Sequence, residues 1–245
     1  MSNPARSSGD SSNIDSLATM NDKKTYQLGL IENKFSDALR SRTIKIVSRE
    51  GLEFFVHEEL LCRECEKFKK QLRGNFKEAQ TGVITDFDEP AELLGVFFDY
   101  LYREGWITNA DDKHPSRYVL LVRLYCMGER MQALSFQEAI FWKFEITARF
   151  TSISEVDMIE LLEVVHTELP ERNTNDYPLR SLVLWYAAAR IQNLKANPLF
   201  RTLVGHKYPE LGAQILFWAS NTTCDRPSYS ASRPQPKFRE EVEFF

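Results

Sequence analysis

The sequence has few cysteines, few glycines and prolines, and no long apolar run. Its 245 residues include 4 Cys, 10 Gly and 10 Pro, which is too little of each for a disulfide framework or a low-complexity polymer. The longest uncharged stretch in the C-terminal half, residues 211–224, is too short to span a bilayer. The N-terminus lacks the apolar segment of a secretory signal. We therefore expect an intracellular protein, cytoplasmic or nuclear, with reduced thiols and no membrane contact.

Neither sign of charge is in large excess. The 31 Lys and Arg residues against 35 Asp and Glu residues give a formal net charge of −4, so no basic field draws the chain to nucleic acid. Hydrophobic residues, by contrast, make up 43% of the chain and include 17 Phe, which is enough to bury a core. We expect one large or two small globular domains, with no nucleic acid as partner.

The two ends differ in composition from the middle of the chain. Residues 1–24 combine six Ser with charged residues and contain no aromatic side chain. Residues 221–245 carry three prolines among Ser and charged residues. Because such segments bury too little apolar area to offset their ordering entropy, the composition predicts disordered tails at both ends.

Between the tails, the first clear pattern of apolar residues is the alternation that is typical of β-strands. Residues 43–47 alternate and are β-branched, Arg49-Glu50-Gly51 is typical of a turn, and residues 52–56 form a second short apolar segment. This order predicts a β-hairpin. Residues 83–85, Val-Ile-Thr, predict a third short strand.

The remaining apolar residues recur at helical spacings. Pro90, Pro178, Pro198 and Pro209 are placed at the starts of helices, and Ser135 with Glu138 has the pattern of a capping box. Together these signals predict helices at 26–39, 57–72, 90–105, 117–131, 135–148, 154–169, 179–195, 199–204 and 209–219, with Gly74 as the stop of the second and a weaker cap at Ser154 with Asp157. The element order predicts an α+β domain followed by a helical extension.

A set of motifs in fixed order then points to one family. The hairpin ends in Phe55-Val56-His57 and is followed by Leu60-Leu61-Cys62, then by Phe68, Leu72, Gly74, Phe76, Glu78 and Ala79. Asp88-Glu89-Pro90, the segment 98–105 (FDYLYREG) and the segment 124–131 (LYCMGERM) come next. This series resembles a BTB/POZ domain over about residues 40–150, and Tyr177-Pro178-Leu179-Arg180 is similar to BTB proteins of filamentous fungi.

The resemblance implies a BTB/POZ fold, in which helices flank a small three-stranded sheet, with a C-terminal all-helical extension. It divides the chain into a BTB domain with a leading helix at 25–150 and an extension packed on it at 151–220. It also implies a protein-interaction adaptor without catalytic chemistry, often a homodimer. Two functions remain open: a substrate adaptor for a cullin-type ubiquitin ligase, and a dimeric regulatory scaffold without a ligase link.

Phe76-Lys77-Glu78 is the candidate for partner binding. In BTB adaptors of ubiquitin ligases, a hydrophobic-x-Glu motif at this place inserts into the cullin scaffold, and the resemblance carries that role to these residues. An apolar anchor beside a carboxylate suits a pocket that basic partner residues surround. The alternative is that the Phe76 ring packs against its own helix.

Two charges depart from the family pattern. The family usually places an Asp just before the first strand and a Lys or Arg right after the His, where both line a charged groove near the dimer interface. This sequence has Arg42 and Glu58 at those places, so both signs are exchanged. The two residues are either an attractive pair of reversed polarity or two unrelated surface charges.

Other polar residues receive structural interpretations. His57 is expected to hydrogen-bond the backbone at the junction of strand and helix. Cys62-x-x-Cys65 suggests a thiol or metal site, but we expect both residues inside one helix, with too few ligands for zinc. The basic run from Lys67 to Arg73 alternates with acidic residues and is typical of a solvated helix face. No catalytic motif is present, so neither an enzyme nor a cofactor is expected.

Overall fold

The computed structural model describes residues 34–85, 88–103, 117–169 and 178–220. The tails predicted at 1–24 and 221–245, and most of the helix predicted at 26–39, lie outside the described residues. The chain divides into two compact units, Met1–Ser41 and Arg42–Phe245. The first contains helix α1, Lys34–Ala38, which is the described part of the predicted leading helix.

The second unit begins with a small mixed sheet. Strands β1, Thr43–Val47, and β2, Glu53–His57, form an antiparallel hairpin, and β3, Val83–Ile84, pairs in parallel with β1. The order across the sheet is β2-β1-β3. The predicted hairpin and third strand are therefore confirmed, and with the helices that follow they make the chain an α+β protein.

One face of the sheet is buried, and alternate residues of each strand supply its side chains. Ile44 and Ile46 of β1 and Val56 of β2 all point into the core, because residues two apart on a strand share a face. The turn between the strands contains Gly51 at φ +81°, a left-handed conformation that glycine adopts without strain. The Ser48 amide donates to the Leu52 carbonyl at 2.9 Å and closes the hairpin.

Four helices accompany the sheet: α2, Glu58–Glu64; α3, Glu66–Arg73; α4, Lys77–Thr81; and α5, Ala91–Tyr102. The single helix predicted at 57–72 was wrong, because Cys65 leaves the helical conformation (φ −136°, ψ 110°) and separates α2 from α3. Pro90 precedes α5 and is not its first helical residue. The Ala91 amide instead receives a cap from the Glu50 carboxylate at 2.8 Å.

The central helices are α6, Arg117–Met131; α7, Leu134–Phe150; and α8, Glu155–Glu168. The capping box predicted at Ser135 was wrong: α7 begins one residue earlier, and its N-cap Ala133 has no side-chain bond. A turn at Gln132 (φ +56°) and a 2.9 Å bond from the Ala133 amide to the Gly128 carbonyl set this start. The cap at Ser154 is confirmed, because its hydroxyl accepts from the Asp157 amide at 3.1 Å.

The C-terminal helices are α9, Pro178–Ala189; α10, Ile191–Leu194; α11, Pro198–Thr202; a π-helical turn, Leu203–Lys207; and α12, Pro209–Ser220. The continuous helix predicted at 179–195 was wrong. Arg190 adopts φ −112°, ψ 13° and breaks it, while the Arg190 guanidinium donates to the Ile153 carbonyl at 2.7 Å. The residue that ends α9 thus also contacts Ile153, which lies 37 positions earlier in the chain.

Helix α6 is the centre of the core, because it packs against both α7 and α8. Phe97, Tyr100 and Phe136 form an aromatic cluster beside it, with ring centroids 5.0 Å apart between Phe136 and each of the other two. Each buried side chain of this size contributes about 1.5–3 kcal/mol by leaving water. Across the described ranges, no helix has the length and apolar character needed to cross a membrane.

Charged groups join the helical extension to the core. Arg130 of α6 forms two parallel hydrogen bonds with the buried Glu89, at 2.7 and 2.8 Å, and a third with Glu168 of α8 at 3.0 Å. The bonds to Glu89 are the main reason that the pKa of the Arg130 guanidinium lies above its ordinary value. On α9, the buried Arg180 donates to the Leu169 carbonyl at 2.9 Å, just past the end of α8. Both arginines thus hold α8 in place.

Candidate protein-interaction surface

The candidate site begins where α3 ends. Gly74 follows Arg73, the last residue of α3, and its backbone is extended, so it ends the helix as the sequence predicted. A Cβ atom on Gly74 would lie 2.6 Å from the Lys70 carbonyl oxygen and 2.8 Å from Cδ2 of the Phe76 ring. Real Cβ atoms do not approach other atoms so closely, so this position requires glycine. The absence of a side chain here lets the Phe76 ring lie against the backbone.

Phe76 projects from this support into solvent. It precedes the first residue of α4 with extended backbone angles (φ −90°, ψ 159°), and 55% of its surface is exposed. The Ala79 amide donates to the Phe76 carbonyl at 3.1 Å, which fixes the backbone that carries the ring. The ring is therefore a preorganised apolar group and does not belong to the core.

Lys77 and Glu78 form the first turn of α4 beside the ring. Lys77 is exposed and Glu78 is half-buried. The helix ends at Gly82, which adopts φ +68° and donates its amide to the Glu78 carbonyl at 2.9 Å. We call Gly74, Phe76, Lys77 and Glu78 the Phe76 ridge. It combines one aromatic anchor, one cation and one carboxylate within five consecutive positions.

The two charges of reversed sign lie against each other. The Arg42 guanidinium donates from Nε to a Glu58 carboxylate oxygen, and the Glu58 amide donates to the Arg42 carbonyl at 2.9 Å. The backbone bond continues the register of β1 and β2 by one more pair. Of the two sequence interpretations, the structure therefore shows the attractive pair.

Arg42 also connects this pair to the Phe76 ridge. Its Nη2 donates to the carbonyl of Ala79 at 2.8 Å. This carbonyl lies in the last turn of α4, where backbone acceptors lack partners within the helix. The Val83 amide, which would extend the helix, bonds instead to the Thr81 hydroxyl at 3.3 Å. One arginine thus stabilises both the start of the sheet and the helix that carries Lys77 and Glu78.

His57 lies at the junction of β2 and α2, as the sequence indicated, but the predicted partner of its ring was wrong. The ring Nδ1 lies 2.8 Å from the Tyr102 hydroxyl and not against a backbone group. The same hydroxyl accepts from the His57 amide at 3.2 Å. The two rings also make an edge contact, with centroids 5.9 Å apart. His57 therefore ties the sheet to the end of α5.

Cys62 and Cys65 do not share one helix, contrary to the sequence prediction, because Cys65 precedes the first residue of α3. Both are free thiols and both are buried. The Cys65 thiol donates to the Met131 carbonyl at 3.0 Å, and desolvation raises the pKa of this thiol to about 11. Desolvation also raises the pKa of the Cys62 thiol. A thiol that keeps its proton is a poor nucleophile and metal ligand, so these surroundings favour a structural role.

The basic run on α3 has acidic and amide partners. Lys69 pairs with Glu66 at 2.7 Å, and Arg73 pairs with Glu59 at 2.6 Å. Lys70 donates to the Gln132 side chain at 3.0 Å. Such pairing of cations with acidic neighbours is typical of a solvated helix face. In the part of the chain that the structure describes, no cluster of three or more His, Cys, Asp or Glu is placed to hold a metal ion.

Sequence reasoning missed several features of this surface. The bond from Arg42 to Ala79 and the support of the Phe76 ring by Gly74 depend on close approaches that no motif shows. Phe55 belongs to one of the sequence motifs, but its 62% exposure on β2 is seen only in the structure. Its place on the outer face of the sheet follows from simple alternation with Val56. No family model and no curated protein matches this chain.

Proposed function

We propose that this chain is a non-enzymatic protein-interaction adaptor of BTB/POZ type and that the Phe76 ridge binds its partner. The observation that carries the proposal is the Phe76 ring, more than half exposed and held against Gly74. An aromatic group fixed in its bound position loses little conformational entropy when a partner covers it. The order of hairpin, helices and short third strand supports the assignment to the BTB/POZ fold.

The partner that suits the ridge is a cullin-type scaffold of a ubiquitin ligase. Phe76 would enter an apolar pocket, and Glu78 would meet basic residues at its margin, which fixes the register of the complex. Lys77 lies between them and faces solvent. The motif resemblance supplies the identity of this partner, and the exposed ring supplies the physical means of binding.

A capture experiment tests the proposal. Purified wild-type protein and the double variant Phe76→Ala with Glu78→Ala are each mixed with a purified cullin N-terminal region, and binding is measured by titration. We expect the double variant to bind at least about tenfold more weakly, the loss typical of one interface anchor. Phe217→Ala is the matched control, because Phe217 is an exposed aromatic residue (64%) on helix α12, outside the ridge.

The outcomes separate the candidate functions. Wild-type protein that binds no cullin would overturn the ligase role and leave the dimeric regulatory scaffold as the remaining adaptor function. A double variant that binds as well as wild type would remove the ridge from the interface. The free energy of unfolding of the double variant should stay within about 1 kcal/mol of wild type, as for exposed positions. A larger loss would show that the contact of the ring with the Gly74 backbone stabilises the fold.

A further inference from the structure

Helix α4 carries Lys77 and Glu78 of the Phe76 ridge, yet packing anchors it only weakly. None of its five residues is buried, so no apolar side chain fixes its position. Its main contacts are with α3 and β3, the elements directly before and after it in the chain. Isolated helices shorter than roughly 12–15 residues are marginal in water. The position of α4 therefore depends on the hydrogen bonds at its two ends.

The start of α4 is tied to Phe76. The Ala79 amide donates to the Phe76 carbonyl at 3.1 Å, and the ring of Phe76 lies against Gly74. These contacts fix the apolar half of the ridge but not its charged half. The Glu78 side chain makes no hydrogen bond or ion pair with another described residue. The direction of its carboxylate is therefore set by the backbone of α4.

The end of α4 is held by Arg42. Its Nη2 donates to the Ala79 carbonyl at 2.8 Å, and a Cβ atom placed on Gly82 would lie 3.9 Å from its Nη1. The guanidinium therefore lies at the last turn of the helix, where basic side chains commonly bond the final carbonyls. Among the described residues outside 74–83, Arg42 alone forms a side-chain hydrogen bond to α4.

Ala79 connects the two supports, because its amide bonds to Phe76 and its carbonyl to Arg42. The bond from Arg42 has a charged donor, and such bonds are shorter and stronger than neutral ones. No backbone amide replaces it, since the Val83 amide bonds to the Thr81 hydroxyl at 3.3 Å. Without Arg42, the Ala79 carbonyl would lose its donor, and the last turn of α4 would fray. The charged half of the ridge would then lose its fixed direction.

We propose that Arg42 is a positioning residue of the Phe76 ridge. By holding the last turn of α4 it sets the direction of the Glu78 carboxylate, and so the affinity for the partner, without touching the partner itself. This inference rests on the proposed function, in which Glu78 meets basic residues of the partner. A group that is already held in its bound direction loses less entropy when the partner arrives. If Arg42 served only its ion pair with Glu58, by contrast, its loss would leave the ridge unchanged.

Amide hydrogen exchange of the full chain tests the positioning without any partner. Arg42→Met and Glu58→Met both break the ion pair, but only Arg42→Met removes the donor to Ala79. We expect the Ala79 and Gly82 amides to exchange roughly threefold to tenfold faster in Arg42→Met, the equivalent of one hydrogen bond, and within about twofold of wild type in Glu58→Met. Amides of α6 are the reference for a global loss of stability. Equal rates in wild type and Arg42→Met, relative to that reference, would overturn the proposal.

Titration with the purified cullin N-terminal region tests the effect on binding. We expect Arg42→Met to bind roughly threefold to tenfold more weakly than wild type, and Glu58→Met to bind within about twofold of it. In a chain that also carries Glu78→Ala, the change Arg42→Met should alter binding less than about twofold, because the carboxylate that it positions is absent. Equal binding by wild type and Arg42→Met overturns the proposal. So does an undiminished effect beside Glu78→Ala, since Arg42 would then contact the partner itself. Wild-type protein that binds no cullin would overturn the ligase role alone, and the exchange rates then decide whether Arg42 positions the helix.

Discussion

Arg42 and Glu58 face each other one pair beyond the hairpin of β1 and β2, joined both through the backbone and through their side chains. Neither residue belongs to a strand, yet the antiparallel register continues through them. The same arginine also holds the Ala79 carbonyl of α4 at 2.8 Å. The pair therefore links the entry to β1, the exit from β2 and the helix that carries Lys77 and Glu78.

Exchange of the two charges should recover only part of the stability that each single change removes. Arg42→Glu and Glu58→Arg each place like charges together and should lower the free energy of unfolding by about 1 kcal/mol, because the pair is half-exposed. The double exchange restores attraction, but a glutamate at 42 cannot donate to Ala79. Urea denaturation of all four proteins measures the coupling. Effects of the two single changes that simply add would show that the pair contributes no interaction energy.

Gly74→Ala should destabilise the protein by about 1–3 kcal/mol, since its Cβ would overlap the Lys70 carbonyl and the Phe76 ring. Gly95→Ala is the matched control. A Cβ on Gly95 meets nothing within 4 Å, and the residue lies inside α5, so alanine should stabilise the helix by about 0.5–1 kcal/mol. Thermal denaturation compares the two variants. Equal effects would show that the close approach at Gly74 carries no cost.

Arg130→Met should cost about 3–5 kcal/mol, because it leaves the buried Glu89 carboxylate without its cation. Changing Glu89→Gln in the same chain should restore much of the loss by removing the uncompensated charge. Glu168→Gln is the control, since that carboxylate is more exposed and should change stability by less than about 1 kcal/mol. Urea denaturation measures each value. A small effect of Arg130→Met would mean that water replaces the guanidinium.

Stability should fall at alkaline pH through Cys65. Burial raises the pKa of this thiol from 9.0 to about 11, so between these values the folded chain binds a proton that the unfolded chain has released. The contribution, about 2–3 kcal/mol, is complete below pH 9.0 and is lost as the pH rises towards 11. Cys65→Ala should show a smaller decline over that range than wild type in denaturation at several pH values. Identical slopes would contradict the assignment.

The sequence predicts the parts of the fold that depend on local pattern. The hairpin follows from alternating β-branched residues, and α6 was found at its observed ends, Arg117 and Met131. The break at Cys65 could not be predicted, because it depends on bonds from its thiol and from the Glu66 amide to the carbonyls of Met131 and Gln132. These acceptors lie far along the chain. Junctions of this kind are set by tertiary partners and leave no periodic signal.

In the candidate site, too, some features follow from local sequence and others depend on tertiary contacts. The motif placed Phe76 just past the Gly74 stop as a candidate anchor, and more than half of the ring's surface is exposed there. The contact of Arg42 with α4 could not be foreseen, because it requires the packing of α4 against the sheet. His57 shows the intermediate case: its place was predicted from the hairpin boundary, but its partner, Tyr102, comes from a different helix.

The parallel pairing of β3 has a consequence for the order of folding. The hairpin of β1 and β2 closes through a short turn, an event of about 1–10 µs in isolated hairpins. Strand β3 pairs with Lys45 across a segment that contains α2, α3 and α4, and closing a loop of that length slows the pairing. Helix α4 joins β3 through Gly82, so we expect the Phe76 ridge to become ordered together with this late strand. Partner capture would then select chains that have completed folding.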